Sequence, residues 1–297
     1  MDNQLEVREF LASRRARLTP EQAGIIGGGR RRVAGLRREE VAMLAGMSVD
    51  YYAKMERGNL SGVSPEVLDS LARALQLDEA EIAHLHDLAR AAAPGSRARP
   101  RSRSAGSTVR PALQRLLDAI DAPAYIANQR KDFLATNSLG AAVFAPILDD
   151  PSNQRNNARF TFLNPASRIY YPDWEKGADS IVASLRVAAG QNPHDKALTD
   201  LIGELVTRSD TFRMRWAHHD VRFHRSGTKR IHHPEVGDLE LDYEALDLPA
   251  DRDLVLFVCA PEPGSPSEER IRLLGSLAAT ADATPGAATT THYKENP

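Results

Sequence analysis

The chain has 297 residues, 42% of them apolar and 26% charged, which suits two folded domains of ordinary size. Its one cysteine, Cys259, excludes an intramolecular disulfide and a cysteine-built zinc finger and points to a reducing cytosol, while the lack of any run near the roughly 18 apolar residues of a membrane span argues against a membrane partner. The net charge of −2 hides an asymmetry: residues 1–110 carry 18 basic and 14 acidic side chains, and the remainder 20 and 26.

The first helix is expected around Leu5, Phe10 and Leu11, ending before Pro20. The basic side chains Arg14, Arg15 and Arg17 are not followed by an apolar run, so no signal peptide is expected. A glycine-rich loop over 24–33 comes next. It lacks the Gly-Lys-Ser/Thr ending of a phosphate-binding loop, and no strand precedes it. A second helix is predicted over Arg37–Ala45, with Val41, Ala42, Leu44 and Ala45 as its apolar side. Gly46 is a stop signal, and Ser48 caps a third helix running to about Arg57. Ser64-Pro65-Glu66 opens a fourth helix, and Asp78 with Glu81 opens a fifth bearing Ile82, Leu85, Leu88 and Ala89.

The stretch from Ala93 to Ser107 is rich in Ser, Arg, Gly and Pro and reads as a flexible basic linker. Beyond it a helix carries Leu113, Leu116, Leu117 and Ile120. Two short strands, Ala124–Ala127 and Phe133–Thr136, follow. Helices are expected over Trp174–Ala189, His194–Val206 and Ser209–Trp216. Strand-like runs close the sheet at Val221–Arg225, Thr228–His233, Asp238–Tyr243 and Leu254–Cys259, with Ser226-Gly227 as a hairpin turn. A short helix around Glu268–Leu277 leads into an Ala/Thr-rich tail expected to be disordered.

Residues 37–58 hold the functional signal. Between Arg8 and Leu60 stand 11 basic residues, ten of them arginine, the side chain suited to phosphate and base edges. A helix, a glycine-containing turn and a second helix make a corner whose second helix can enter a major groove. Winding Ser48–Arg57 at about 100° per residue puts Tyr51, Tyr52 and Met55 on one side, and Asp50, Ala53, Lys54 and Arg57, edged by Val49, on the other. The large residues face a core and the small or polar ones face outward.

The chain resembles the XRE-type helix-turn-helix transcriptional regulators, in the branch that carries an MmyB-like ligand-binding domain. The resemblance rests on Phe10–Leu18, Gly28–Val41, Leu44–Tyr52 and Leu68–Leu75 in the first half. In the second half it rests on Arg110–Leu113, Pro123–Tyr125, Tyr171–Trp174, Ala217–Arg230, His233–Gly237, Leu241–Glu244 and Glu262–Ser265. It implies an α+β chain: an all-α, lambda-repressor-like helix-turn-helix domain of five helices, then a PAS-like domain with a five-stranded antiparallel sheet and inserted helices. The expected boundaries are 1–94 for the DNA-binding domain, 95–109 for the linker, 110–263 for the ligand-binding domain and 264–297 for the helix and tail.

The function implied is sequence-specific binding of double-stranded DNA by a homodimer, cytoplasmic and nucleoid-associated, modulated by a small apolar, fatty-acid-like ligand. Ser48, Val49, Asp50, Lys54 and Arg57 are then expected at bases or backbone. Arg37, Arg38 and the loop side chains Arg30, Arg31 and Arg32 are expected at phosphates. Glu56 is expected to pair with Arg14 or Arg15. The ligand set expected is Arg168, Tyr170, Trp174, Trp216, Arg222 and His224, with Arg168, Tyr170, Arg222 and His224 at the mouth of an apolar pocket. The segment Asn153–Phe162 is more polar than the family pattern.

Five of the nine histidines fall between His218 and His233, but their spacing matches no zinc signature and arginines lie among them, so no metal is expected. On the expected hairpin Asp220 pairs with His233 and His224 with Lys229. No cofactor is expected, and no nucleophile elbow or paired-carboxylate arrangement supports an enzyme. The alternative is a small-molecule-binding or enzymatic protein whose helical N-terminal domain docks other proteins.

Overall fold

The structure is a computed structural model, and it describes residues 3–25, 33–93, 109–218, 225–251 and 253–283. Five helices form the N-terminal unit: α1 (Asn3–Arg17), α2 (Arg38–Leu44), α3 (Val49–Glu56), α4 (Pro65–Ala74) and α5 (Glu79–Ala92). Their starts follow from local chemistry. The Glu40 carboxylate accepts from the Arg37 backbone N–H at 2.7 Å. Ser48 Oγ accepts from Tyr51 N–H at 3.2 Å. Asp78 and Glu81 exchange backbone and side-chain hydrogen bonds as a capping box. Val7, Phe10, Leu11, Leu36, Val41, Tyr52, Met55, Leu71 and Leu85 fill the core. Leu5 and Leu44, expected inside, are exposed, because the stripes of α1 and α2 centre on Val7, Phe10 and Val41 instead.

The C-terminal unit begins with α6 (Pro111–Asp118), then β1 (Ala124–Asn128) and β2 (Phe133–Thr136). Four short helices follow: α7 (Ser138–Val143), α8 (Ala145–Leu148), α9 (Asn157–Leu163) and α10 (Ser167–Tyr170). The longer α11 (Trp174–Gln191), α12 (Lys196–Arg208) and α13 (Asp210–Ala217) lead to β3 (Ser226–His233), β4 (Gly237–Asp247), β5 (Leu254–Ala260) and α14 (Pro266–Ala283). The strands form one antiparallel sheet in the order β2-β1-β5-β4-β3, with seven helices between β2 and β3, in keeping with the PAS-like architecture.

Alternation divides the sheet. Tyr125, Ala127, Phe133, Leu241 and Cys259 face α7, α10, α14 and the start of α11. Ala124, Ile126 and Ala135 face Leu113 and Leu117 of α6. Leu116, expected with them, points outward. The α14 helix is longer than Glu268–Leu277 and buries Ile271 and Leu274 in the main core.

The hairpin differs from expectation. Ser226 and Gly227 lie within β3, opposite Glu244 and Tyr243, so they are not the expected turn, whereas the turn between the expected strands Thr228–His233 and Asp238–Tyr243 is present at Pro234–Val236 and closes on the pair His233–Gly237. Lys229 stands opposite Leu241 and His233 opposite Gly237; Asp220 and His224, expected to pair with His233 and Lys229, lie outside the described residues.

The two units meet. Helix α5 packs along α11, and Val187 of α11 joins the N-terminal core. A Cβ at Gly190 would lie 2.7 Å from the His84 ring, so the approach there admits no side chain. At the centre of this contact Arg186, fully buried, pairs with Glu6 of α1, with His84 Nε2 3.9 Å from the same carboxylate.

Candidate functional site

Gly46, in the left-handed region at φ +67°, turns the chain between α2 and α3, a conformation that glycine adopts without penalty. Ser48, Val49, Asp50, Lys54 and Arg57 are exposed, whereas Tyr52, Met55 and Glu56 are buried. The helix thus presents an arc of small and charged side chains while its large residues anchor it. Among the described residues, Asp50, Lys54 and Arg57 form no ion pair that would tie them down. Arg37 is exposed at the N-cap of α2. Arg30, Arg31 and Arg32 lie outside the described residues.

Glu56 is the anchor beneath that arc. Arg15 Nε donates to Glu56 Oε1 at 2.5 Å, and Arg38 Nε donates to Oε2. Burial pushes the Glu56 carboxyl up, but the two guanidinium hydrogen bonds outweigh it and hold its pKa below the ordinary carboxylate range. Arg14 pairs instead with Glu81 of α5, at 2.8 Å. These ion pairs brace α1 against α3 and α5. Arg38 is therefore a structural partner of Glu56 as well as a half-exposed cation at the start of α2.

The second site is a cavity of about 710 Å³ between the inner face of the sheet and α11. Tyr125, Phe133, Tyr243 and Phe257 supply an aromatic wall, with Tyr125 and Phe257 stacked at 4.8 Å between ring centroids. The opposite wall is polar: Asn157, Thr161, Ser180 and Ser184. Three lysines also line it, Lys131 from the β1–β2 turn, Lys176 from α11 and Lys229 from β3. Burial, followed by the charge of Lys229, lowers the Lys131 ammonium to about 8. Burial also lowers Lys229.

The ligand set read from the sequence is not brought to this cavity. Tyr170 is buried and spends its hydroxyl on the Val143 carbonyl at 2.7 Å. Trp174 donates to the Thr161 carbonyl at 3.1 Å, with the Arg168 guanidinium over its ring at 3.9 Å. Trp216 lies under the Arg186 guanidinium at 4.1 Å, at the contact between the two units. Arg222 and His224 lie outside the described residues. Tyr171, next to Tyr170, does face the cavity.

The described histidines have separate partners. His232 Nδ1 lies 2.6 Å from Asp238, and His233 Nε2 lies 3.1 Å from the Ala142 carbonyl. Among the described residues no group of His, Cys, Asp and Glu is arranged to hold a metal, and no helix is long and apolar enough to cross a membrane.

A helix-turn-helix corner with an exposed arc, joined to a cavity-bearing sheet domain, defines a DNA-binding regulator with a ligand-binding domain. A family model for a helix-turn-helix domain matches residues 7–85, and the MmyB-like transcription regulator ligand binding domain matches residues 109–274. The second match covers more than half of the chain, which therefore belongs to the MmyB-like transcription regulators. A comparison with individually curated proteins gives no match.

Proposed function

We propose that the protein is a sequence-specific transcriptional regulator that reads duplex DNA as a homodimer through the outer arc of α3, and whose DNA affinity changes when a small ligand fills the cavity. The observation that carries the first part is the sorting of α3: Ser48, Val49, Asp50, Lys54 and Arg57 outward, Tyr52 and Met55 inward. Arg37 and Arg38, with Arg30, Arg31 and Arg32, would then neutralise phosphates, and the arc would carry base preference.

Modulation is supported by the path of α11. Its first half lines the cavity through Lys176, Gly177, Ser180, Ile181 and Ser184. Its second half holds Glu6 through Arg186 and abuts His84 through Gly190. A ligand that displaces α11 would change how the N-terminal unit is held, because a packed helix moves as a rigid element. The aromatic wall offers a resting place for the apolar body of a small ligand.

Selection of duplexes from a randomised pool with the full chain tests the reading. Enrichment of a two-fold related pair of half-sites about one helical turn apart is expected. Recovery of unenriched pool sequences, or no retention on duplex DNA at low salt, would favour a protein-docking role for the N-terminal helices.

A further inference from the structure

The cavity contains charge that the fold does not use. Lys131 sits in a left-handed turn conformation at φ +69°, and Lys229 projects from the inward face of β3, in step with buried Ile231 and His233. Both ammoniums reach the same cavity, and the charge of Lys229 disfavours that of Lys131. Among the described residues neither forms an ion pair or a side-chain hydrogen bond. Three carboxylates line the cavity as well: Asp173 is held by Arg230 at 2.5 Å, Asp179 by Arg215 at 2.8 Å, and Glu240 stands on β4 opposite Arg230. Lys229 Nζ instead lies 5.4–5.9 Å from the ring centroids of Phe144, Tyr243 and Tyr125.

Two desolvated like charges lining one cavity are unfavourable in the empty protein and become favourable once an anion sits between them. The rest of the cavity narrows the anion's body. One wall is a set of rings, two of them already stacked, and the facing wall carries serine, threonine and asparagine. A flat aromatic body stacks on the first and keeps polar substituents for the second. An alkyl chain would leave the polar wall without hydrogen-bond partners.

We propose that Lys131 and Lys229 form the acid-binding end of the cavity, and that its ligand is an aromatic carboxylic acid lying against the Tyr125–Phe257 wall. This rests on the reading of the cavity as the ligand site.

Thermal shift of the full chain tests it, with 2-naphthoate, its neutral analogue 2-naphthamide, and myristate as probes. The wild type should bind 2-naphthoate about tenfold or more tightly than 2-naphthamide, since a charge-assisted bond to a buried partner exceeds a neutral one by that much. Lys131→Met and Lys229→Met should unfold at the wild-type temperature or above it without ligand, because each removes a desolvated charge, and each should lose the carboxylate advantage. A structural role would lower the unfolding temperature of the empty protein, and that result overturns the proposal. So does equal binding of the acid and the amide by the wild type, or a myristate shift that exceeds that of naphthoate and survives both substitutions. Ser184→Trp fills the cavity: a naphthoate shift that persists in it places binding elsewhere and overturns the cavity reading itself.

Discussion

Arg186→Met probes the joint between the two units. Arg186 is fully buried, donates to Glu6 and to the Trp216 carbonyl, and stacks on the Trp216 ring at 4.1 Å. Methionine keeps much of the volume but leaves the Glu6 carboxylate nearly buried without its guanidinium partner, with His84 Nε2 3.9 Å away. Stranding one member of a buried pair costs about 3–5 kcal/mol. Partial relief from His84, or from protonation of Glu6, puts the expectation near the lower end, about 3 kcal/mol. Glu6→Gln alone strands the guanidinium and should cost a similar amount. The double variant removes both charges and should fall within about 1 kcal/mol of wild type, because replacing a whole buried pair by neutral groups is close to neutral. The cycle therefore predicts a coupling of several kcal/mol, read from urea unfolding followed by Trp216 fluorescence. Three variants with additive effects, each within about 0.5 kcal/mol of wild type, would refute a buried pair at this joint.

Further outcomes follow from the same geometry. Gly190→Leu places a side chain against the His84 ring, 2.7 Å from where its Cβ would stand, and should raise hydrogen exchange in α5 and the second half of α11 without unfolding β1–β5; unchanged exchange would contradict the close contact. Arg38→Ala should lower the salt slope of DNA binding by about one counterion and, since Glu56 loses a partner, also lower stability; a stability change without a slope change would make Arg38 purely structural. Trypsin should cut first among Arg97, Arg101 and Arg103, releasing a fragment that begins shortly before Arg110, and the nicked halves should stay together in gel filtration through α5 and α11; first cuts at Arg186 or Arg208 would contradict the domain boundary. Lys131 releases its proton near 8 in the folded protein but near about 10.4 when unfolded, so the unfolded state binds more protons in that window. Stability should rise with pH across it and affinity for naphthoate should fall, with Lys229 adding in the same sense while the Asp173–Arg230 pair and the buried Tyr125 and Tyr171 hydroxyls keep their charge states; a pH-independent affinity would contradict the role of the ammoniums.

The DNA-binding corner was legible because its signals are local. Ser48, Ser64-Pro65 and the Asp78–Glu81 box state where helices start, and winding α3 separates Tyr52 and Met55 from Lys54 and Arg57. Helices α7 to α10 escaped because four to seven residues are too few for a 3.6-residue period to register. Their available signals were the caps: Asn137 accepts from Gly140 N–H, and Asn156 from Arg159 N–H. The cavity was harder. Lys131 in Asn128-Gln-Arg-Lys131 reads as a solvated turn, and only the return of β3 to the same face gives it a neighbour. Two-residue alternation from Ile231 and His233 does put Lys229 inward on the expected strand Thr228–His233, but no local pattern brings it to the same cavity as Lys131. Arg186 stands on the apolar stripe between Val182 and Ala189, a misplaced charge that marks a buried partner, though nothing in the sequence names Glu6 as that partner.

The central claim is that the outer arc of α3 reads base sequence. The most direct measurement is a selected-site binding assay on wild type, Lys54→Ala and Asp50→Ala. Lys54→Ala should weaken binding to the wild-type site by about 1–3 kcal/mol and relax preference at one base position of each half-site. Asp50→Ala should raise affinity for unrelated duplexes, since an acid facing phosphate is removed, while lowering discrimination. Identical base preferences in all three proteins would contradict the account, and α3 would then not be the element that reads DNA.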